Sequence, residues 1–408
     1  MDPVVRQYET YPYPERDPVE EARRLVVGSP SDPAEIDHFL FRGRRDWSRP
    51  FRALVAGGGT GDALVMLAQK LADAGCPAEI TYLDLSAAAR RVAEARMAAR
   101  GLAARFLTGD LLEAPRLAEE GGPFDYVDCC GVLHHLPDPQ AGFDALARAL
   151  APEGGLGFMV YAPYGREGVY PLQAAFAVLF PEDGPEEKVR LARAALAALP
   201  ESNGFRRNPF LTDHGTSDAG LHDLLLHARD VPFAVPDLLA ALDRAGLELV
   251  SFVEPARYDP ARCLPATPEF ASRLARLSPP ERLALGERLA GDIRMHVGYA
   301  ARAGRAAKAM ARLEPEGVPR LNGLDARALA AKVAKDGTVR VSYPGRALDI
   351  AIPKDAAPLI ALIGRERSFA EIAQAARLDW LVFAQRFGSA FRALTGVNLL
   401  RVSRGIAT

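Results

Sequence analysis

Three glycines at alternate positions, Gly57, Gly59 and Gly61, follow a short apolar run, Phe51 to Ala56, and precede an apolar-periodic stretch opened by Asp62. Strand, glycine turn and helix together begin a nucleotide-binding βαβ unit. The glycines let the main chain turn sharply and approach a ligand with no Cβ in the way. A dinucleotide would place its diphosphate at the helix N-terminus, behind the spacing G-x-G-x-x-G. Here the third glycine comes one residue early, and Asp62 takes that N-terminus. A carboxylate suits the helix dipole there but repels a diphosphate. The pattern points to an adenosine cofactor without a diphosphate, S-adenosylmethionine (SAM), whose sulfonium suits an acidic or aromatic pocket. Asp84 ends the next apolar run, Glu79 to Leu83, where an acid accepts hydrogen bonds from ribose hydroxyls. Capping the helix near Ala87 together with Ser86 is its other reading.

Methyl transfer from such a cofactor is a displacement at carbon, so alignment is the main task and an amine or hydroxyl acceptor must also lose a proton. His134 and His135 follow the apolar run 124–130 and are the candidates for a base or an acceptor ligand; hydrogen-bonding the turn before Pro137 is the alternative. Tyr161 ends a later apolar run and Tyr164 and Arg166 follow it, in position to line a pocket. Tyr8, Tyr11 and Tyr13 alternate with Pro12, Pro14 and Pro18. Proline restricts helix, so residues 1–20 read as an extended arm or broken turn, either a surface strap or a lid over the pocket. His214, His222, His227 and Asp230 lie 8, 5 and 3 residues apart, a spacing that fits no compact metal motif, and no metal is expected.

Elements that would position these residues alternate along the chain. Strands are predicted at 51–56, 79–84, 104–107, 124–130 and 155–161, and helices at 33–47, 63–74, 87–100 and 139–150. That order implies a mostly parallel sheet covered on both faces, with ligands at the carboxyl ends of the strands. The four candidate segments, Gly57–Gly61, Asp84, Asp110 and Gly131–His135, all fall at those ends.

At this point the chain resembles the class I SAM-dependent methyltransferases. The likeness rests on the glycine turn with Asp84, on Phe106 to Glu113, on Phe124 to Pro139, on Leu150 to Tyr161 with Pro152 and Gly154-Gly155, and on Phe233 to Pro255. It implies a Rossmann-like α/β fold and a SAM site made by Ala56, Gly57, Gly59, Thr60, Gly61, Asp84, Leu85, Asp110, Leu111, Cys130 and Gly131, with Asp110 on the adenine amino group. Tyr8, Tyr11, Tyr13, Tyr161, Tyr164 and Arg166 would face the acceptor. In one respect the chain departs from the family. Many relatives carry an acid within the first strand, where Val55 stands here, which removes a polar contact to the methionine end of SAM.

With 408 residues, two domains are expected. The boundaries are an N-terminal arm and helix (1–50), a methyltransferase domain (51–305) with helical insertions at about 163–232 and 256–292, and a small α+β, winged-helix-like unit (311–408). The last unit is read from strands at 338–343 and 347–352 around Pro344-Gly345 and from helices near 356–363, 368–376 and 379–394. Its pattern is similar to that of peptide-recognition domains beside peptide-modifying enzymes. An Ala/Arg-rich linker, 303–313, is expected to be crossed by few contacts, leaving this unit to fold by itself and to supply no catalytic group. It holds 15 Lys/Arg against 9 Asp/Glu, while the net charge of the whole chain is −2, so a broad nucleic-acid surface is not expected. Adjacent Cys129 and Cys130 on a buried strand read as core, and no membrane or secretory segment is seen, so a cytoplasmic protein is expected. The acceptor is a protein or peptide side chain, with a small metabolite, or a regulatory SAM-binding role without catalysis, as alternatives; a homodimer is open.

Overall fold

The structure, a computed structural model, describes residues 3–364 and 366–406; the first two residues of the arm and the last two of the C-terminal unit lie outside it. Seven strands form one sheet in the order β3-β2-β1-β4-β5-β7-β6. They are β1 (Phe51–Ala56), β2 (Ala78–Asp84), β3 (Arg105–Thr108), β4 (Phe124–Cys130), β5 (Leu150–Tyr161), β6 (Leu247–Phe252) and β7 (Met295–Arg302). The first five pair in parallel, and β7 runs antiparallel to both β5 and β6. The strands are apolar on both sides because both faces are covered. Leu54, Val127, Leu156 and Phe158 pack on one face with the helices Pro139–Ala149 and Val235–Arg244. Ala53, Val55, Tyr126 and Tyr299 pack on the other with α2 (Pro33–Leu40) and α3 (Asp62–Asp73).

Two local expectations need correction. The arm is not extended from its start: residues Pro3–Thr10 form helix α1. Proline is tolerated in the first helical turn, and Pro12, Pro14 and Pro18 all come after the helix has ended. The predicted helix 33–47 stops at Leu40, and Arg42 and Gly43 follow with positive φ. In the C-terminal region the antiparallel hairpin Thr338–Tyr343/Arg346–Ala351 precedes the helices, and a helix the periodicity missed, Ala326–Asp336, packs beside it. Leu359, Ile360, Ile363, Phe369, Ile372, Phe383, Phe387, Phe391 and Leu394 are buried, and Leu362 is partly so.

The linker does not mark a boundary that few contacts cross. The Arg42 amide donates to the Ala309 carbonyl at 2.8 Å and the Ala311 amide to the His38 carbonyl at 2.7 Å. Glu35 of α2, fully buried, accepts from Tyr299 of β7 (2.9 Å), from Asn398 (2.8 Å) and from Arg401 (2.5 Å). Another nitrogen of Arg401 lies 3.0 Å from Asp32, which also holds Lys70 at 2.5 Å. Ser403 donates to Asp37 at 2.8 Å. A carboxylate inside the protein is costly unless a cation and donors replace its water, so α2 is fastened to the sheet below it and to the C-terminal strand above it. Arg401→Ala should lower unfolding free energy by about 3–5 kcal/mol, the scale of stranding a buried charge. Urea titration checks this, and Arg401→Met combined with Glu35→Gln should cost much less.

Candidate functional site

The glycine turn crowns β1. Gly57, Gly59 and Gly61 have φ of 72°, 51° and 95°, a region that disfavours any other residue. Space is short as well: a Cβ on Gly57 would meet Val132 Cγ2 at 2.3 Å, and one on Gly59 would meet the Tyr13 carbonyl oxygen at 2.8 Å. Tyr82 steadies the turn by donating to the Gly59 carbonyl at 2.7 Å. Behind it, Asp62 opens α3 and is ion-paired with Arg16 (2.6 Å) and Arg96 (2.7 Å). Burial pushes this carboxyl up, and the two guanidiniums outweigh that effect and hold it below its usual range. A paired carboxylate therefore already fills the helix end where a diphosphate would go.

Asp84 ends β2. Its two oxygens accept from the Gly59 and Ser86 amides, each at 2.8 Å, while burial raises its pKa. The side chain thus shapes the turn and does not cap the helix, and it ends β2 at the rim where a ribose would lie. Helix 87–99 is capped by Ser86 itself (3.0 Å to the Ala89 amide) and by Glu9 of the arm (3.0 Å to the Ala88 amide). Asp110 accepts from the Leu112 amide at 2.9 Å. Leu111 sends its side chain into the core and keeps only its main chain for a ligand; Leu85 is exposed at the edge. Cys130 and Gly131 (φ 80°) finish β4, with Ala56 buried beside them and Thr60 donating to the Pro14 carbonyl at 2.6 Å. The donor set fits a nucleoside with hydroxyls and no phosphate.

Beyond β4 and β5 lies a second group. Asp223, on the helix Asp218–Leu225 of the insertion, accepts from the Tyr8 hydroxyl at 3.2 Å and from the Tyr161 hydroxyl at 3.0 Å. Burial first, then the Asp223 charge, raises both hydroxyl pKa values, so both stay protonated donors. His135 Nδ1 faces the Arg229 carbonyl at 2.7 Å and must carry the proton, which leaves Nε2 a lone pair. His135 stacks on His227 at 3.6 Å between centroids, and His227 Nδ1 accepts from the Arg229 amide at 3.0 Å, placing its own proton on Nε2 beside Tyr8 (3.1 Å). Burial lowers the pKa of His134, His135 and His227, so all three are neutral rings. Arg166 spreads its guanidinium 3.6 Å over the Tyr161 ring and pairs with Asp230 at 3.1 Å.

The arm joins the two groups. The Tyr8 carbonyl accepts from Ser86 at 3.2 Å, its hydroxyl reaches Asp223, and Tyr13 abuts the glycine turn. Tyr11 lies against His222, 5.5 Å between centroids. Tyr164 is a correction: it is exposed and meets Arg288 at the surface (3.3 Å), because the turn after Pro163 points it outward. Of His214, His222, His227 and Asp230, the last two join the His134-His135 pair, with ligand atoms within 4.8 Å in the triads His134, His135, Asp230 and His135, Asp223, His227. His214 packs on Phe205, apart from them. Asp223 was missed, since nothing in its local sequence separates it from a surface acid; the Asp/His-rich insertion was the signal.

Known proteins share the fold that carries these residues. A methyltransferase domain family model matches residues 54–156. An uncharacterized protein of Synechococcus is 32% identical over 246 residues, 59% of this chain, and the chain spans 58% of that relative's length. PKMT2 from Rickettsia typhi, solved in complex with AdoHcy, superposes with a TM-score of 0.59 over 87% of this chain and 71% of its own at 12% identity; a second structure of PKMT2 gives 0.58 at 14%. Asp84→Ala should weaken SAM binding by about 1–3 kcal/mol, the scale of leaving buried hydroxyls unpaired, as calorimetry would read. Deleting residues 1–14 should raise the SAM dissociation constant by removing the Tyr13 and Pro14 contacts. Residues 54–156 thus match a methyltransferase domain family, within a seven-stranded sheet whose fold PKMT2 shares.

Proposed function

We propose that the protein moves the methyl group of SAM to an amine on a protein or peptide side chain. One observation carries this reading: the Asp223 carboxylate, buried at the rim beyond β4 and β5, is held between two tyrosine hydroxyls, with no Lys or Arg paired to it among the described residues. A carboxylate among aromatic rings attracts an ammonium and orients it. When bound, SAM supplies a methyl group on a positively charged sulfur. The chain's own residues do the rest. Tyr8 and Tyr161 fix the acceptor, the arm and the insertion exclude water, and neutral His135 offers Nε2 to the proton that the amine must lose. The assignment of His135 as base, rather than His134, rests on the hydrogen bond that fixes its tautomer; His134 Nδ1 instead faces the Tyr161 amide at 3.4 Å.

Residues 311–408 are read as a winged-helix-like unit that contacts the acceptor protein. The region has no His or Cys and so offers little chemistry of its own, and its positive surplus suits an acidic partner. Because this region covers α2, a chain cut near residue 305 is expected to be unstable, and the unit's role is better tested by surface substitutions in the full chain.

Labelled SAM should transfer its methyl group to a peptide pool and not to a metabolite pool. Asp223→Asn should lower kcat/KM for the acceptor by roughly 100-fold, within the usual range for positioned polar and acid–base groups, while leaving the SAM dissociation constant unchanged. Label appearing only in metabolites would count against the macromolecular acceptor. SAM binding with no transfer to any pool would favour a regulatory role.

A further inference from the structure

Asp128 stands on β4 two residues before its tip and is 1% exposed. Its side chain accepts from the Ser31 hydroxyl and, at 3.3 Å, from the Tyr126 hydroxyl. No Lys, Arg or His pairs with it among the described residues. Several other carboxylates around the same sheet have cations: Asp32 has Lys70 and Arg401, Glu35 has Arg401, Glu21 has Arg96 and Arg100, and Asp230 has Arg166, whereas Asp37 is held by the Ser403 hydroxyl and the Arg45 amide. Burial pushes Asp128 up to about 6, with the two hydroxyl donors only partly offsetting it. A desolvated carboxylate with two neutral donors is an incomplete site, and a cation would complete it.

The sheet places this carboxylate beside the cofactor rim. In the parallel register Asp128 is the direct partner of Val55. Side chains at paired positions of neighbouring parallel strands share a face. Val55 leads in two residues to Gly57, and Asp128 leads in two residues to Cys130 and then Gly131. The carboxylate therefore lies on the floor between the glycine turn of β1 and the tip of β4.

We propose that Asp128, oriented by Ser31, binds the α-ammonium of the methionine half of SAM. The assignment rests on the SAM reading above and adds a residue to it. The ammonium would take the place of the absent protein cation. Ser31 precedes α2, so the loop leading into that helix sets the carboxylate's angle.

The test is a cycle of two ligands and two proteins, read by calorimetry. The ligands are S-adenosylhomocysteine and its deaminated analogue, in which hydrogen replaces the α-amino group. The full-length protein should prefer the amino ligand by roughly 10- to 100-fold, the range for a hydrogen bond to a charged group. Asp128→Asn should bind both ligands about equally, at the level of the deaminated one. The exchanged pair Val55→Asp with Asp128→Val should recover most of the preference. If the unaltered protein shows no preference, or if Asp128→Asn keeps it, the assignment is wrong and the amino group is held elsewhere. The ligand comparison on unaltered protein stands even if a variant does not fold; Ser31→Ala, which keeps the charge, should then narrow the preference, and an unchanged preference would overturn the assignment. Binding of neither ligand by the unaltered protein would instead overturn the SAM reading, and this assignment with it.

Discussion

The structure depends on finding partners for carboxylates that the sheet and its helices bury. Each such group loses its water and must be given a cation or several donors in return. The partners come from far along the chain. Asp62, at the start of α3, takes Arg16 from the arm and Arg96 from the next helix, and Arg96 also holds Glu21. Asp32 and Glu35 take Arg401. These pairs do more than offset a cost. They decide where the arm, α2 and the C-terminal strand can sit, because a planar guanidinium satisfies two carboxylates in few geometries.

Not every buried carboxylate has an arginine. Among the described residues Asp84 and Asp128, near the carboxyl ends of β2 and β4, and Asp223, on the insertion helix that meets the end of β5, are held by neutral donors. A nucleoside's hydroxyls, a methionine's ammonium and an acceptor amine would meet these three in that order.

Much of this was legible before folding was considered. The glycine turn, Asp84 and Asp110 are local signals, since a turn that needs positive φ can be met by few residues. The order of strands and helices fixed the sheet. What stayed hidden is what the chain brings together over long separations. Asp223 reaches Tyr8 across 215 positions, and Arg401 reaches Glu35 across 366. No periodicity reports such a pairing. Helix α1 was hidden for a different reason: Pro12, Pro14 and Pro18 outweighed the eight residues ahead of them, where nothing forbids a helix. Tyr164 was misplaced because a turn of one residue decides whether a ring faces in or out.

Glu35 has a consequence for how the protein is made. It lies within the first tenth of the chain, and two of its partners, Asn398 and Arg401, lie within the last few residues. The 366 positions from Glu35 to Arg401 must all be synthesised before α2 has its counter-charge. Any product that stops short of Arg401, whether from a stalled message or a premature stop, leaves that acid unpaired. Two distant segments thereby certify each other, and closure waits for both.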